Sequence, residues 1–152
     1  MTNTDFNFLA GSWTSRQRRL VKILAGVDEW YEFDATLDCT VLFDGAGNYD
    51  VLRAPSRDLE GLTVRLYNPD EDVWRIWWAA KTSRGMLDVP VVGRFVDGVG
   101  TFECDDTWEG TPIRVRYRWS AVDPANPRWE QSFSPDGGRT WEVNWIATFS
   151  RR

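Results

Sequence analysis

Apolar and polar residues alternate one by one along much of this chain. Ile113, Val115, Tyr117 and Trp119 fall on one side of a period-two pattern, with Arg114, Arg116, Arg118 and Ser120 on the other. Trp141, Val143, Trp145, Ala147 and Phe149 likewise oppose Glu142, Asn144, Ile146 and Thr148. A strand projects successive side chains to opposite faces, so this pattern predicts strands with one buried and one solvated face. The longest helix-compatible stretch, Ser15 to Leu24, lacks capping residues and is read as a strand as well.

Turn signals punctuate the pattern in steps of about 12 residues, as in sandwiches and barrels of short strands. They are Gly45-Ala46-Gly47-Asn48, Pro55-Ser56-Arg57-Asp58, Asn68-Pro69-Asp70-Glu71-Asp72 and Thr82-Ser83-Arg84-Gly85. Asp97-Gly98, Glu109-Gly110-Thr111-Pro112, Asp123-Pro124-Ala125-Asn126-Pro127 and Ser134-Pro135-Asp136-Gly137-Gly138 continue the series, with one more near Gly26-Val27-Asp28. Each supplies residues that fix a corner or tolerate a positive φ. The chain therefore reads as a single all-β domain over residues 1–152, with about ten antiparallel strands in up-and-down order. No helices are available to cover sheet edges, and closure into a barrel removes those edges.

At about ten strands a barrel encloses a lumen unless large side chains fill it. The ten Trp and eight Phe decide how much room remains. The candidate lining comprises Trp74, Trp78, Phe102, Tyr117, Trp119, Trp129, Phe133 and Trp145. Two polar residues join it: Gln131, in register with Trp129 and Phe133, and Arg94, alternating with Val92 and Val96. A few polar groups in an apolar cavity orient a ligand, or else satisfy one another or an acid such as Glu32 or Asp38. If Trp74, Ile76 and Trp78 point inward, Trp77 points outward, and a homodimer would cover it.

A net charge of −5 argues against a nucleic-acid partner and against docking on an anionic membrane. The basic row Arg114, Arg116 and Arg118 is read as a solvated ladder, with Glu103, Asp105, Glu130 and Glu142 offered by neighbouring strands. Histidine is absent, which removes Ser-His-Asp and Cys-His nucleophiles, His-ligated zinc and the proximal-His haem site. Cys39 and Cys104 are too few for a disulfide scaffold and too far apart for a metal knuckle. No cofactor is expected. Two reduced thiols, no signal-like segment and no long apolar run point to a cytoplasmic protein.

Ser134 to Trp141 fits the Ser-x-Asp-x-Gly-x-Thr-Trp pattern found in sialidase propellers. It is read as a hairpin, with the Asp accepting backbone N–H groups and the Trp anchoring the next strand, and not as a glycosidase site. Gly11-Ser12-Trp13, preceded by Phe6 and Phe8, resembles the calycin superfamily of lipocalins, fatty-acid-binding-like and nitrobindin-like barrels. The resemblance implies a short helical turn before Gly-x-Trp and a Trp that closes one barrel end. It also implies a terminal Arg lying across that ring, a part open to Arg151 or Arg152.

The chain further resembles a bacterial lipocalin-like family of unassigned function across residues 5–151. The matching stretches are Asp5-Phe6-x-Phe8-Leu9-x-Gly11-Ser12-Trp13, Arg18-Arg19-Leu20, Trp30-x-Glu32-Phe33 and Glu60-Gly61-x-Thr63-x-Arg65-Leu66. They continue through Trp74-x-Ile76-x-Trp78-Ala79, Pro90-Val91-Val92-Gly93-Arg94-Phe95 and Trp129-Glu130-Gln131 to Trp145. The resemblance implies the barrel and no particular reaction. Some members place a His before the Arg-Arg-Leu segment, where this chain has Arg16 and Gln17. Two functions are carried forward. One is non-covalent binding of a small apolar or aromatic molecule in the lumen. The other is a cofactor-free isomerase or cyclase acting on a hydrophobic substrate there, with a buried acid or Tyr117 handling a proton.

Overall fold

In a computed structural model, which describes residues 4–120 and 125–152, ten antiparallel strands close into one barrel in up-and-down order. The strands are β1 (Gly11–Leu20), β2 (Trp30–Leu42), β3 (Gly47–Ala54), β4 (Leu59–Asn68) and β5 (Val73–Ala80). They continue with β6 (Val91–Val96), β7 (Val99–Trp108), β8 (Thr111–Ser120), β9 (Arg128–Ser134) and β10 (Glu142–Arg151). β1 pairs with both β2 and β10, so the sheet closes on itself. Of the expected turns, residues 123 and 124 lie outside the described residues. The expected strand from Ser15 to Leu24 ends earlier: β1 stops at Leu20, and the chain turns through 21–29 before β2.

One end of the barrel is packed solid. A 3-10 turn, Asn7–Leu9, carries Phe6 and Leu9 into it, both fully buried. Phe6 meets Trp74 and Phe95 edge-on at 5.0 and 4.9 Å, with Phe102 at 5.6 Å and Trp119 at 6.2 Å. Such pairs add to the large apolar area each ring removes from water. Trp13 is fully buried beneath the turn, and its indole N–H donates to the Leu9 carbonyl at 2.9 Å. The Arg151 guanidinium lies 3.9 Å from the Trp13 ring centre and donates to the Phe8 and Ala10 carbonyls. Arg151 thus takes the part expected of the terminal Arg, while Arg152 pairs with Asp38 at 2.8 Å.

The opposite end is looser. β5 pairs with β6 through only three residue pairs, Trp74 with Gly93, Arg75 with Val92 and Ile76 with Val91. The upper half of β5, with Trp78, is therefore bridged to the far side only by the 81–90 connection. There Asp88 donates its N–H to the Trp78 carbonyl at 2.8 Å.

On the outer surface, Arg114 bonds Glu103 and Asp105, both at 3.0 Å, as the charge-ladder reading expects. Glu130 pairs instead with Arg128, and Glu142 accepts the Leu24 N–H. Ser134 to Trp141 forms the expected hairpin. Asp136 accepts from the N–H groups of Arg139 and Thr140 and from the Ser134 and Thr140 hydroxyls. These four donors hold its carboxyl far below the usual range, the Thr140 contacts most strongly.

The alternation expected at the start of β10 is corrected. A bulge between Val143 and Trp145 inserts Asn144, which is fully buried. Trp145, Ala147 and Phe149 face inward as expected, but Trp141 does not, because the extra residue resets the register. Its ring stacks outside under the Arg116 guanidinium at 4.1 Å.

Candidate functional site

Between the packed end and the loose end lies a chamber of about 70 Å³, walled mainly by aromatic rings. Tyr117 meets Trp129 at 5.2 Å, Trp129 meets Trp145 at 5.5 Å, and Trp145 meets Trp78 at 6.2 Å, each edge-on. These four come from β8, β9, β10 and β5, so the chain of rings spans half the barrel. Trp145 is held in place: its N–H donates to Gln17 at 2.6 Å, and the Arg19 guanidinium lies 4.4 Å above its ring. Gln17 in turn donates to the Ser15 hydroxyl at 2.7 Å.

A second space of about 310 Å³ adjoins the chamber and shares Trp78, Tyr117, Gln131 and Trp145 with it. Val91, Trp108, Ile113, Val115 and Phe133 add apolar wall, and Asp88, Asp106 and Arg19 stand at its mouth. It lies where β5 and β6 part company. Burial and the neighbouring Asp106 raise the Asp88 carboxyl above its usual range. The two spaces thus meet at a common wall of Trp78, Tyr117, Gln131 and Trp145.

The floor of the chamber is polar. Asp50 on β3 and Arg65 on β4 are 1% and 3% exposed, and the Arg65 Nη1 lies 2.7 Å from Asp50 Oδ2. Arg65 also donates to the Asn48 side-chain carbonyl at 3.0 Å, and its guanidinium faces the Phe6 and Trp119 rings at 5.2 and 5.5 Å. Thr63 sits directly opposite Asp50 in the β3–β4 register. Burial pushes the Asp50 carboxyl upward, while Arg65 and Thr63 pull against it. Both neighbours are in contact with Asp50, but no well-aligned hydrogen bond from the described residues reaches either carboxylate oxygen or leaves Arg65 Nε.

Trp78, Tyr117, Trp119, Trp129, Gln131 and Trp145, all candidates from sequence, converge on the chamber. Phe133 lines the adjoining space instead. Trp74 and Phe102 point inward but belong to the packed end, where the rings around Phe6 leave no room. Arg94 is corrected outright. It is exposed on the outside of β6, because Val91 and Phe95 take the inward register. Gln131 is inward and donates to the bulged Asn144 at 2.9 Å, so its partner is neither Glu32 nor Asp38. Sequence reasoning missed Gln17, Asp50, Thr63 and Arg65. On β3 and β4 the alternation is inverted, with polar residues inside and Tyr49, Leu62 and Leu66 exposed outside.

The described residues hold no cluster of three or more metal-ligating side chains. None of their helices is long and apolar enough to cross a membrane. No protein-family model matches the chain, and no curated protein sequence does. Among solved structures, it is similar to the S-type phycobiliprotein lyase CPES from Guillardia theta. The TM-score is 0.62 at 13% identity, over 97% of this chain and 90% of that one. At that identity the likeness is one of fold: this chain is a closed ten-stranded antiparallel barrel.

Proposed function

We propose that this protein binds a small apolar or aromatic molecule inside its barrel. The observation that carries the reading is the ring-walled chamber, closed below by the Phe6 plug and adjoined by the larger space beside the β5–β6 gap. Apolar walls with a few convergent polar groups are the usual make-up of ligand sites. A barrel of similar shape serves a phycobiliprotein lyase, which is consistent with a small-molecule site in the lumen. Ala147, 1% exposed on the chamber wall, gives a direct test. Ala147→Leu pushes three more carbons into the chamber and should abolish the tryptophan fluorescence change that a one-ring aromatic ligand causes in the parent protein. Equal responses from both proteins would place the ligand elsewhere and remove the reading.

A second reading, a cofactor-free isomerase or cyclase on a hydrophobic substrate, is favoured by Tyr117. It lines both spaces. Burial pushes its hydroxyl pKa upward, so at neutral pH it is protonated and could act as a donor rather than a base. Tyr117→Phe would eliminate turnover under this reading and leave the affinity of an apolar ligand within about twofold under the first. We also read the chain as a cytoplasmic member of the bacterial lipocalin-like family, with neither nucleic acid nor membrane as partner.

A homodimer belongs to the same reading. Tyr49, Val64 and Trp77 sit side by side on the outer face of β3–β5, with Leu62 and Leu66 exposed beside them. The patch is bounded by Arg53–Glu60 at one end and Arg75–Glu71 at the other. Mixed charges at both ends make the face self-complementary about a two-fold axis. Sedimentation at micromolar concentration should show a dimer that Trp77→Glu converts to monomer; a monomeric parent protein contradicts it.

A further inference from the structure

The polar floor of the chamber says what kind of head group the guest carries. Asp50 and Arg65 are the only oppositely charged pair among the described residues with both side chains almost wholly buried, and both line the chamber. Two features of the pair matter. It is internally neutralised, so the floor offers no net positive charge to an anion. And it is short of well-aligned hydrogen bonds: Asp50 stands 2.7 Å from Arg65 and opposite Thr63, yet neither of its oxygens is met in good geometry by the described residues. A buried acceptor without a donor carries a desolvation cost that a ligand N–H or O–H relieves.

The two amides of the chamber are engaged already. Gln17 accepts from Trp145 and donates to Ser15, and Gln131 donates to Asn144. Unmet demand is greatest at the Asp50–Arg65 pair, at the foot of a wall of rings. The chamber alone, at about 70 Å³, is smaller than the roughly 150 Å³ cavity that takes up benzene. A guest must then extend upward between Trp78, Tyr117 and Trp145 into the larger space.

We infer that the ligand is a neutral aromatic molecule bearing a terminal hydrogen-bond donor, of the phenol or azole class, seated with that donor on the Asp50 carboxylate. The inference rests on the binding reading above and narrows it. A carboxylate head group is disfavoured, because reaching Arg65 brings it against Asp50. A purely apolar guest fills the same space and leaves Asp50 unrelieved.

Three probes of one shape test this by calorimetric titration of the whole protein: p-cresol, p-xylene and p-toluate. The expected order is p-cresol tightest by tenfold or more, since a hydrogen bond to a charged acceptor is among the stronger kinds. In Asp50→Asn the preference should reverse. Arg65 is then freed, so p-toluate gains at least tenfold and p-cresol loses about as much. The ranking in the parent protein decides the matter even if the variant fails to fold. If p-xylene or p-toluate binds as tightly as p-cresol, binding stands and the donor assignment falls. If none of the three binds, both fall together.

Discussion

Cys39 and Cys104 show how a residue's setting fixes its chemistry. Burial raises both thiols from an ordinary value near 9 to about 11. At a pH below both values the thiolate fraction is lower by the difference, so alkylation by iodoacetamide at pH 8 should run about a hundredfold slower than for a free thiol. Unfolding in urea should restore the ordinary rate. The same shift has a consequence for stability. The folded state holds these protons more tightly, so the thiols' stabilising share is intact below pH 9 and is lost as pH rises through 11. Rapid labelling of Cys39 in the native protein would contradict its burial, Cys104 being only half-buried. The inward aromatic residues on β8 and β9 were legible at this scale, because each alternates with charged or hydroxyl neighbours. Asp50 and Arg65 were not. Their neighbours Tyr49, Val51, Val64 and Leu66 are the more apolar, and hydrophobicity alone puts the wrong face inside.

At the level of elements, the turns carried most of the information. The up-and-down order follows from them, and so does the hairpin built around Asp136. What they could not convey is register. The bulge at Asn144 is invisible in the alternation of β10 and moves Trp141 to the outside. On β6 the ambiguity was sharper, because Val92 and Val96 bracket Arg94 as an inward set would. Gly93 settles it. A Cβ there would lie 1.8 Å from the Thr101 carbonyl oxygen, so the backbones of β6 and β7 approach closely only because glycine stands at this point. Gly93→Ala should cost about 3 kcal/mol, read as a fall in the urea midpoint. Gly26→Ala, where no atom lies within 4 Å but φ is +69°, should cost about 1 kcal/mol. Equal midpoints for the two variants would mean that β6 does not run where it is described.

The whole molecule is a tube stoppered at one end and parted at the other. The stopper uses seven aromatic rings: Phe6, Phe8, Trp13, Trp74, Phe95, Phe102 and Trp119. Composition alone could not say whether the remaining indoles plug the rest, since only their positions along the strands decide that. They do not: Trp78, Trp129 and Trp145 stand around a chamber of about 70 Å³. The three-pair contact of β5 with β6 leaves its mouth beside the 81–90 connection. Labelling all ten tryptophans with 5-fluorotryptophan and titrating with p-cresol while recording fluorine NMR reads this chamber directly. Saturating ligand should shift the resonances of Trp78, Trp129 and Trp145, assigned by single Trp→Phe replacements, and leave those of Trp13, Trp30 and Trp141 in place. Shifts confined to Trp30, Trp77 or Trp141, or no shift at all, would mean that the lumen receives no guest.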